Sequence, residues 1–266
     1  MRLVAWNCAM ALHRKFKALM TLEPDIAIVA ECAAPALLAE RIDLGRVCGT
    51  PVWIGENPHK GLAVFAFNGY RVQLSDIYRP RLRFLAPVVI GGPMTFHLLA
   101  VWAQNMSGGI RRKRQPGPLR LALNHYRDFL ASAPTVVAGD FNNNVIWDRP
   151  GWRINHAAAL ARLAECGLVS AYHEVRGEVH GREMTPTHYW RDRRKDGPTY
   201  HIDYIFLPKT WLGNSCRVEV GSFEDWCGSG LSDHMPLVLD LASQGSARAC
   251  WPAMPGPRMP ASLPRR

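Results

Sequence analysis

Short apolar runs recur along the sequence, and several of them end at a polar residue. Asn7 follows the run 3–6, and Glu31 follows the run 26–30. Runs of this length are typical of buried strands, and their alternation with amphipathic segments favours sheets covered by helices. The sequence predicts strands at 3–6, 26–30, 62–67, 84–90, 96–102, 135–138, 168–172, 187–190, 201–207, 218–223 and 237–241, and helices at 14–22, 35–42, 119–130 and 154–166.

Polar side chains also stand at the ends of later strands. Asp140 and Asn142 follow one predicted strand, Asp203 lies within another, and Asp233 with His234 precedes the last. Because strand ends in layered sheets meet at one rim, we expect all these groups to share a cleft. Oxygen ligands without thiolates suit Mg²⁺, with Mn²⁺ as a possible substitute, and a histidine beside a carboxylate can exchange protons near neutral pH. The pattern therefore predicts metal-assisted chemistry on a phosphate ester.

The charge of the chain favours a polyanionic partner. Lysine and arginine number 32 against 22 acidic residues, which gives a net charge of +10. Clustered cations gain affinity for nucleic acid by releasing its counterions, although charge alone also serves solubility. Arg111 and Arg112 belong to a basic run flanked by glycine and proline. This run has two interpretations: a solvated surface loop, or a loop that binds a nucleic-acid backbone electrostatically.

Cysteine usage predicts a reducing, cytoplasmic environment. There are seven cysteines, an odd number, and no two of them form a C-x-x-C pair, which argues against a disulfide framework or a cysteine-based zinc cluster. We also expect no signal peptide, because the sequence lacks a charged leader followed by a long apolar region and a small-residue cleavage site. We expect no membrane span, because no apolar run approaches the ~18 residues that a span needs. A monomer without an obligate protein partner is the expected state.

The composition changes near the end of the sequence. Residues 243–266 contain five prolines and no acidic residue, so they are predicted to be a disordered basic tail. The preceding part, 1–242, is predicted to be one catalytic domain.

Five segments in order resemble the endonuclease/exonuclease/phosphatase superfamily of metal-dependent phosphoesterases. The resemblance covers residues 1 to about 242 and implies a four-layer α/β sandwich, in which two packed mixed β-sheets are flanked by helices. The matching segments are Trp6-Asn7, Ala30-Glu31, Gly139-Asp140-Phe141-Asn142, His201-Ile202-Asp203-Tyr204 and Ser232-Asp233-His234.

The resemblance also implies a metal site. Glu31 would be the main Mg²⁺ ligand, Asn7 would belong to the metal shell or orient a phosphate, and Asp233 would bind the same metal or a second one.

The catalytic roles follow from the same resemblance. Asp140 would position or deprotonate the attacking water, and Asn142 would donate to a phosphate oxygen. Asp203 would hold the imidazole of His234, which would contact the scissile phosphate as a base or as a stabilising donor.

Other residues are candidates for substrate binding. His201 and Asn144 extend two of the motifs, whereas Lys60 is more simply explained by a solvated turn. Many relatives have histidine or tyrosine where this sequence has Trp102, whose indole cannot transfer a proton at useful pH. Gln104 is the predicted substitute donor.

The favoured hypothesis is a Mg²⁺-dependent phosphodiester hydrolase, an endo- or exonuclease acting on nucleic acid. The alternatives are a phosphoesterase for a nucleotide, inositol phosphate or phospholipid, and a basic binding module without activity. Abasic-site repair is not assigned, because that branch has polar residues and a lysine where this sequence has Cys8-Ala9 and Cys32-Ala33.

Overall fold

The computed structural model describes residues 1–104, 115–190, 194–213 and 216–241, and most strands within these ranges belong to two six-stranded sheets. In spatial order, the first sheet consists of β13 (Arg217–Val220), β14 (Leu237–Asp240), β1 (Arg2–Asn7), β2 (Ile26–Cys32), β4 (Lys60–Ala66) and β3 (Val52–Asn57). The second consists of β5 (Arg71–Leu74), β6 (Leu85–Gly91), β7 (Phe96–Trp102), β8 (Thr135–Asp140), β12 (Asp203–Pro208) and β9 (Leu168–Ser170). A small ribbon pairs β10 (His188–Tyr189) with β11 (Thr199–Tyr200).

Helices α1 (Leu12–Met20), α2 (Pro35–Ala39) and α3 (Leu44–Val47) cover the outer face of the first sheet. Helices α4 (Pro118–His125), α5 (Arg127–Ser132) and α6 (His156–Glu165) cover that of the second. A seventh helix, α7 (Ala171–Arg176), contacts β12 and β13 and packs Ala171 and Tyr172 into the core between the sheets.

The alternation of side chains along the strands builds three apolar layers. Leu3 of β1 and Val136 of β8 belong to the central cluster between the sheets. Val4, on the opposite face of β1, packs in a cluster with Phe16 of α1. A third cluster joins the outer face of the second sheet to α4, α5 and α6. The predicted fold class is confirmed, because two mixed sheets are packed together and flanked by helices.

The topology places several strand ends at one rim. β1 runs parallel to β2, and β7 runs parallel to β8. β12 is antiparallel to β8 with Asp203 opposite Asp140, and β14 is antiparallel to β1. The carboxyl ends of β1, β2, β7 and β8 therefore lie beside the amino ends of β12 and β14.

The local structure departs from the sequence prediction in several places. The strand predicted at 168–172 ends at Ser170 and continues as a helix, because buried strands and buried helices share the same apolar composition. The helix predicted at 119–130 is interrupted at Tyr126, whose φ of −92° and ψ of 19° leave the helical range. The strands β3 and β5 were not predicted; β5 is an edge strand without a fully buried residue.

Some predictions concern parts of the chain that lie outside the described residues. These include Arg111, Arg112 and the tail 243–266. In the described ranges, six cysteines are free thiols, and no helix is long and apolar enough to cross a bilayer.

Candidate active site

Asn7 connects two carboxylates at the rim where the sheets meet. Its Nδ2 donates to Asp140 Oδ2 at 3.0 Å and to Glu31 Oε1 at 3.4 Å. Its Oδ1 accepts from Ala9 N at 3.0 Å, which fixes the amide group. Asn7 is only 3 % exposed, so water competes little with these hydrogen bonds. The structure thus brings together the residues predicted from β1, β2 and β8.

Glu31 owes its position to an irregularity in β2. The pairing with β4 shifts register between Ala30 and Cys32, and Glu31 at this point has a φ of 57°. A bulge takes a side chain out of the regular alternation and re-aims it. The left-handed conformation costs a non-glycine residue about 1–2 kcal/mol, and such strain is found most often at functional sites.

Asp140 is also held by the loop that follows it. Asn142 donates from its backbone N to Asp140 Oδ1 at 2.8 Å and from Nδ2 to Asp140 Oδ2 at 2.9 Å. The preceding Gly139 has a φ of 135°, and a Cβ there would lie 2.0 Å from the carbonyl oxygen of Val101. Glycine at 139 is therefore required by the backbone, whereas Asp140 and Asn142 are linked through their side chains.

Asp203 and His234 form a buried pair next to this network. The distance between His234 Nδ1 and Asp203 Oδ2 is 2.9 Å. The hydroxyl of Thr187 accepts from Asp203 N at 3.1 Å, which fixes the start of β12. The hydroxyl of Ser232 accepts from His234 N at 3.0 Å and donates to Asn7 O at 2.7 Å, which links the two halves of the site.

The three titratable groups at the centre of the site influence one another. Asp140, Asp203 and His234 place one donor atom each within 4.8 Å of the others. Burial raises the pKa of Asp140 to about 7, although the nearby His234 acts in the opposite direction. Burial alone would lower the pKa of His234, but Asp203 and Asp140 outweigh it and raise this pKa to about 10. The site therefore holds a protonated imidazole between two carboxyl groups.

His188 is a site residue that the sequence analysis missed. Its ring centroid lies 4.4 Å from that of His234, the two residues form a β-bridge, and its Nε2 is 3.9 Å from Asp233 Oδ2. Burial, followed by the charge of His234, lowers the pKa of His188 to about 4. No motif marks His188 in the sequence; its position within a predicted strand was the only available signal.

Lys60 also belongs to the site, whereas the sequence favoured a solvated turn. Its Nζ lies 3.2 Å from Glu31 Oε2 and 5.4 Å from the ring centroid of Trp102. Trp102 is buried and packs against Phe84, so the ring forms a wall beneath the ammonium group. Gln104, two residues further along, is half-buried and remains a predicted donor.

His201 and Asn144 have contacts on another side of β12. Both are buried; His201 Nδ1 lies 2.8 Å from Thr185 O, and its ring packs against Tyr172. Asn144 Nδ2 lies within hydrogen-bonding distance of His201 O and Tyr204 Oη. These contacts give both residues a part in a buried polar cluster, and their role in substrate binding stays a prediction.

The donor atoms at the rim fit a hard divalent cation. Such ions prefer carboxylate and amide oxygens. The side chain of Glu31 is 21 % exposed, and Asp203 Oδ1 is buried without a hydrogen-bond partner among the described residues. Burial raises the pKa of the neighbouring Cys8 thiol to about 12, which disfavours its thiolate form.

Solved structures share this architecture. A 3′ phosphatase, NExo, from Neisseria, bound to product DNA hairpin, is 17 % identical with a TM-score of 0.65; the match covers 91 % of this chain and 100 % of that one. An AP endonuclease from Archaeoglobus fulgidus is 14 % identical with a TM-score of 0.62, covering 91 % and 100 %. An endonuclease/exonuclease/phosphatase from Beutenbergia cavernae DSM 12333 is 19 % identical with a TM-score of 0.58, covering 91 % and 71 %.

The chain therefore has the fold of the endonuclease/exonuclease/phosphatase superfamily, as its motifs predicted. No family model matches the sequence, and no curated protein is significantly similar to it. At these low identities the structural likeness establishes the fold alone.

Proposed function

We propose that this protein is a Mg²⁺-dependent phosphodiester hydrolase that acts on nucleic acid. The observation that carries the proposal is the placement of Asp140. Asn7 and Asn142 hold both of its carboxylate oxygens, and the Asp203–His234 pair lies beside it. A fixed carboxylate next to a charged imidazole is a suitable arrangement for delivering water to a phosphate.

Glu31 would be the principal residue holding the cation. The metal, with Mn²⁺ as a possible substitute, would supply positive charge at the scissile phosphate. Asp233, with a side chain 31 % exposed, is the second proposed ligand. Asn7 remains a proposed member of the metal shell, although its Oδ1 here accepts the hydrogen bond from Ala9 N.

Asp140 would position the attacking water and accept its proton. Hydrogen bonds from Asn7 and Asn142 restrict the carboxylate to one orientation, so its remaining lone pairs have a defined direction. Asn142 would donate the second hydrogen of its Nδ2 to a phosphate oxygen as charge develops there, while the first holds Asp140.

His234 would contact the phosphate through Nε2. Nδ1 is engaged by Asp203, so Nε2 is the nitrogen left for substrate. An imidazolium between two carboxyl groups is a hydrogen-bond donor, and we therefore assign it the stabilising role in preference to that of a base.

The proposal of a nucleic-acid substrate is supported by charge and by the related folds. The net charge of +10 favours a polyanion. One similar structure is bound to a DNA hairpin, and others are named as endonucleases.

The test is a substrate panel. Plasmid, single-stranded DNA, RNA and nucleotides would be incubated with Mg²⁺, with Mn²⁺ and with EDTA. We expect metal-dependent cleavage of a nucleic acid that EDTA abolishes. Cleavage of small phosphoesters alone would contradict the nucleic-acid substrate, and full activity in EDTA would contradict the metal.

Two variants test the site itself. Glu31→Gln and His234→Ala should each lower kcat at least about 100-fold, because each removes a charged group from the reacting centre. Glu165→Gln and His125→Ala change the same residue types on the exposed surface and should leave kcat unchanged. Near-full activity in both site variants, with an intact fold by circular dichroism, would show that the site is misplaced.

A further inference from the structure

A second cluster of metal-binding side chains lies outside the proposed active site. His173 belongs to α7, and His180 and Glu183 follow it in the chain. His173 Nε2 lies 3.2 Å from Glu183 Oε1, and His180 Nδ1 lies 3.9 Å from the same oxygen. One donor atom from each residue lies within 4.8 Å of the other two. Glu183 is almost completely buried, with a side chain 4 % exposed.

Buried ring nitrogens without partners lie within this cluster and next to it. Among the described residues, His180 Nδ1, His201 Nε2 and His156 Nε2 lack a hydrogen-bond partner. The ring centroid of His201 lies 5.8 Å from that of His173, and the ring centroid of His156 lies 6.3 Å from that of His180. A buried polar atom without a partner is destabilising by roughly 1–3 kcal/mol, so an ion that bound His180 Nδ1 and one of the other two nitrogens would remove much of this cost.

Two of the imidazoles, His201 and His173, have outer contacts of the kind that metal-binding histidines make. His201 Nδ1 is engaged by the backbone oxygen of Thr185 at 2.8 Å, and His173 Nδ1 by the hydroxyl of Ser170 at 2.8 Å. His173 Nε2 lies against Glu183 Oε1, and His201 Nε2 is buried without a hydrogen-bond partner among the described residues. Hydrogen bonds of this kind fix the tautomer and the ring orientation of a histidine ligand.

We propose that His173, His180 and Glu183 bind a Zn²⁺ ion, with His201 or His156 supplying the fourth ligand. Zinc prefers imidazole nitrogen and carboxylate oxygen in tetrahedral geometry. Two ligand atoms of a tetrahedral zinc ion lie roughly 3.3 Å apart, which follows from Zn–N and Zn–O distances of about 2.0–2.2 Å. His173 Nε2, at 3.2 Å from Glu183 Oε1, already has this spacing, whereas His180 Nδ1, at 3.9 Å, would move closer to it. The stacked rings of His173 and His180, with centroids 3.5 Å apart, would turn so that both nitrogens point at one ion.

The rival arrangement is a hydrogen-bonded core without metal. Glu183 Oε1 is near Asn144 Nδ2, at 3.1 Å, as well as His173 Nε2, so the carboxylate is stabilised without a cation. Such a core leaves His180 Nδ1, His201 Nε2 and His156 Nε2 without partners, which a zinc ion and its ligand set would account for more completely.

The consequence of zinc binding would be structural. The metal would tie α7 to the segment 177–187, which ends at Thr187, the residue whose hydroxyl fixes Asp203. This site is independent of the proposed Mg²⁺ site, since it uses different residues and mainly nitrogen donors.

The experiment measures metal content directly. The full chain would be purified, exchanged into buffer containing Mg²⁺, and assayed for zinc by inductively coupled plasma mass spectrometry. We expect stoichiometric zinc in the wild type and in Glu31→Gln, which alters only the proposed active site. Glu183→Gln and His180→Gln should lose most of the zinc, and His125→Gln should retain it.

A spectroscopic arm separates ligation from misfolding. With Co²⁺ in place of zinc, the wild type should show the strong visible absorption of tetrahedral cobalt. His180→Cys should keep the metal and add a thiolate charge-transfer band, which a purely structural histidine would not produce. His180 has a side chain 25 % exposed, so its substitution disturbs the core least.

Two results would overturn the zinc site. One is a wild-type protein that binds neither zinc nor cobalt; the other is a folded Glu183→Gln and His180→Gln pair that retains full zinc. Loss of nuclease activity in Glu31→Gln with zinc retained would support both sites, whereas inactive wild type with stoichiometric zinc would contradict only the proposed function.

Discussion

At the scale of single residues, Glu31 has two competing partners. Its carboxylate accepts a weak hydrogen bond from Asn7 and forms an ion pair with Lys60. A divalent cation at Glu31 would be repelled by the Lys60 ammonium, and a bound phosphate would attract that ammonium. Lys60 would therefore weaken metal binding in the free protein and strengthen substrate binding in the complex.

The variant Lys60→Met separates these effects. The Mg²⁺ concentration for half-maximal activity should fall roughly 2- to 5-fold, the equivalent of a partly exposed ion pair worth up to about 1 kcal/mol. KM for nucleic acid should rise, because a phosphate contact is lost. Steady-state kinetics over a Mg²⁺ titration measures both.

Lys195 offers a matched control. It pairs with Glu224 and lies 5.9 Å from the ring centroid of Phe223, so it has the same two kinds of contact on the exposed surface. Lys195→Met should change neither parameter. An unchanged Mg²⁺ requirement in Lys60→Met would exclude the competition at Glu31.

At the scale of elements, the position of Asp140 depends on a close contact between the backbones of β7 and β8. Only glycine fits at this contact, because a Cβ at residue 139 would overlap Val101 O. Gly139 has a positive φ, and its Cα hydrogens face the Val101 carbonyl of β7. The same close approach brings the ends of β7 and β8 together, next to Asp140 and Trp102.

Gly139→Ala should lower the free energy of unfolding by at least about 3 kcal/mol, because it adds a steric overlap to backbone strain. Gly151→Ala is the control: its φ is 73°, but the space around it is open, so only the strain of about 1–2 kcal/mol applies. Urea denaturation measures both. An equal loss of unfolding free energy in the two variants would mean that the backbone can move away from Val101 without cost.

The elements also show what the sequence can predict. The strands ending at Asn7, Glu31 and Asp140 were recognisable because a short apolar run that stops at a polar residue marks both a buried strand and its end. The helix after Ser170 could not be recognised, since a buried helix has no distinct composition over so few residues. His188 was missed because its importance comes from the bridge to His234, a contact between segments far apart in the chain.

At the scale of the whole molecule, the order of the motifs was enough to predict that they meet in one cleft. The cluster of His173, His180 and Glu183 could not be predicted in this way. His173, His180 and Glu183 are ordinary polar residues in the sequence, and only the packing of α7 against β12 brings them near Tyr204 and His201. Long-range packing of this kind leaves no local pattern.

The distribution of charge gives a prediction for the whole chain. Removing residues 243–266 deletes four arginines and no acidic residue, which lowers the net charge from +10 to +6. We expect kcat to remain unchanged while the dependence of KM on salt becomes less steep. Kinetics at several salt concentrations measures this, and loss of folding in the shortened chain would show that the domain boundary is wrong.

The pairing of β1 with β14 has a consequence for how the protein is made. Asn7 lies at the end of β1 and His234 just before β14, so the first and last strands of the described fold both contribute to one cleft. Contacts of such large sequence separation form late, because loop closure has to come first. During synthesis, the nascent chain would carry positive charge long before the proposed active site was complete, and hydrolysis would begin only when β14 had docked.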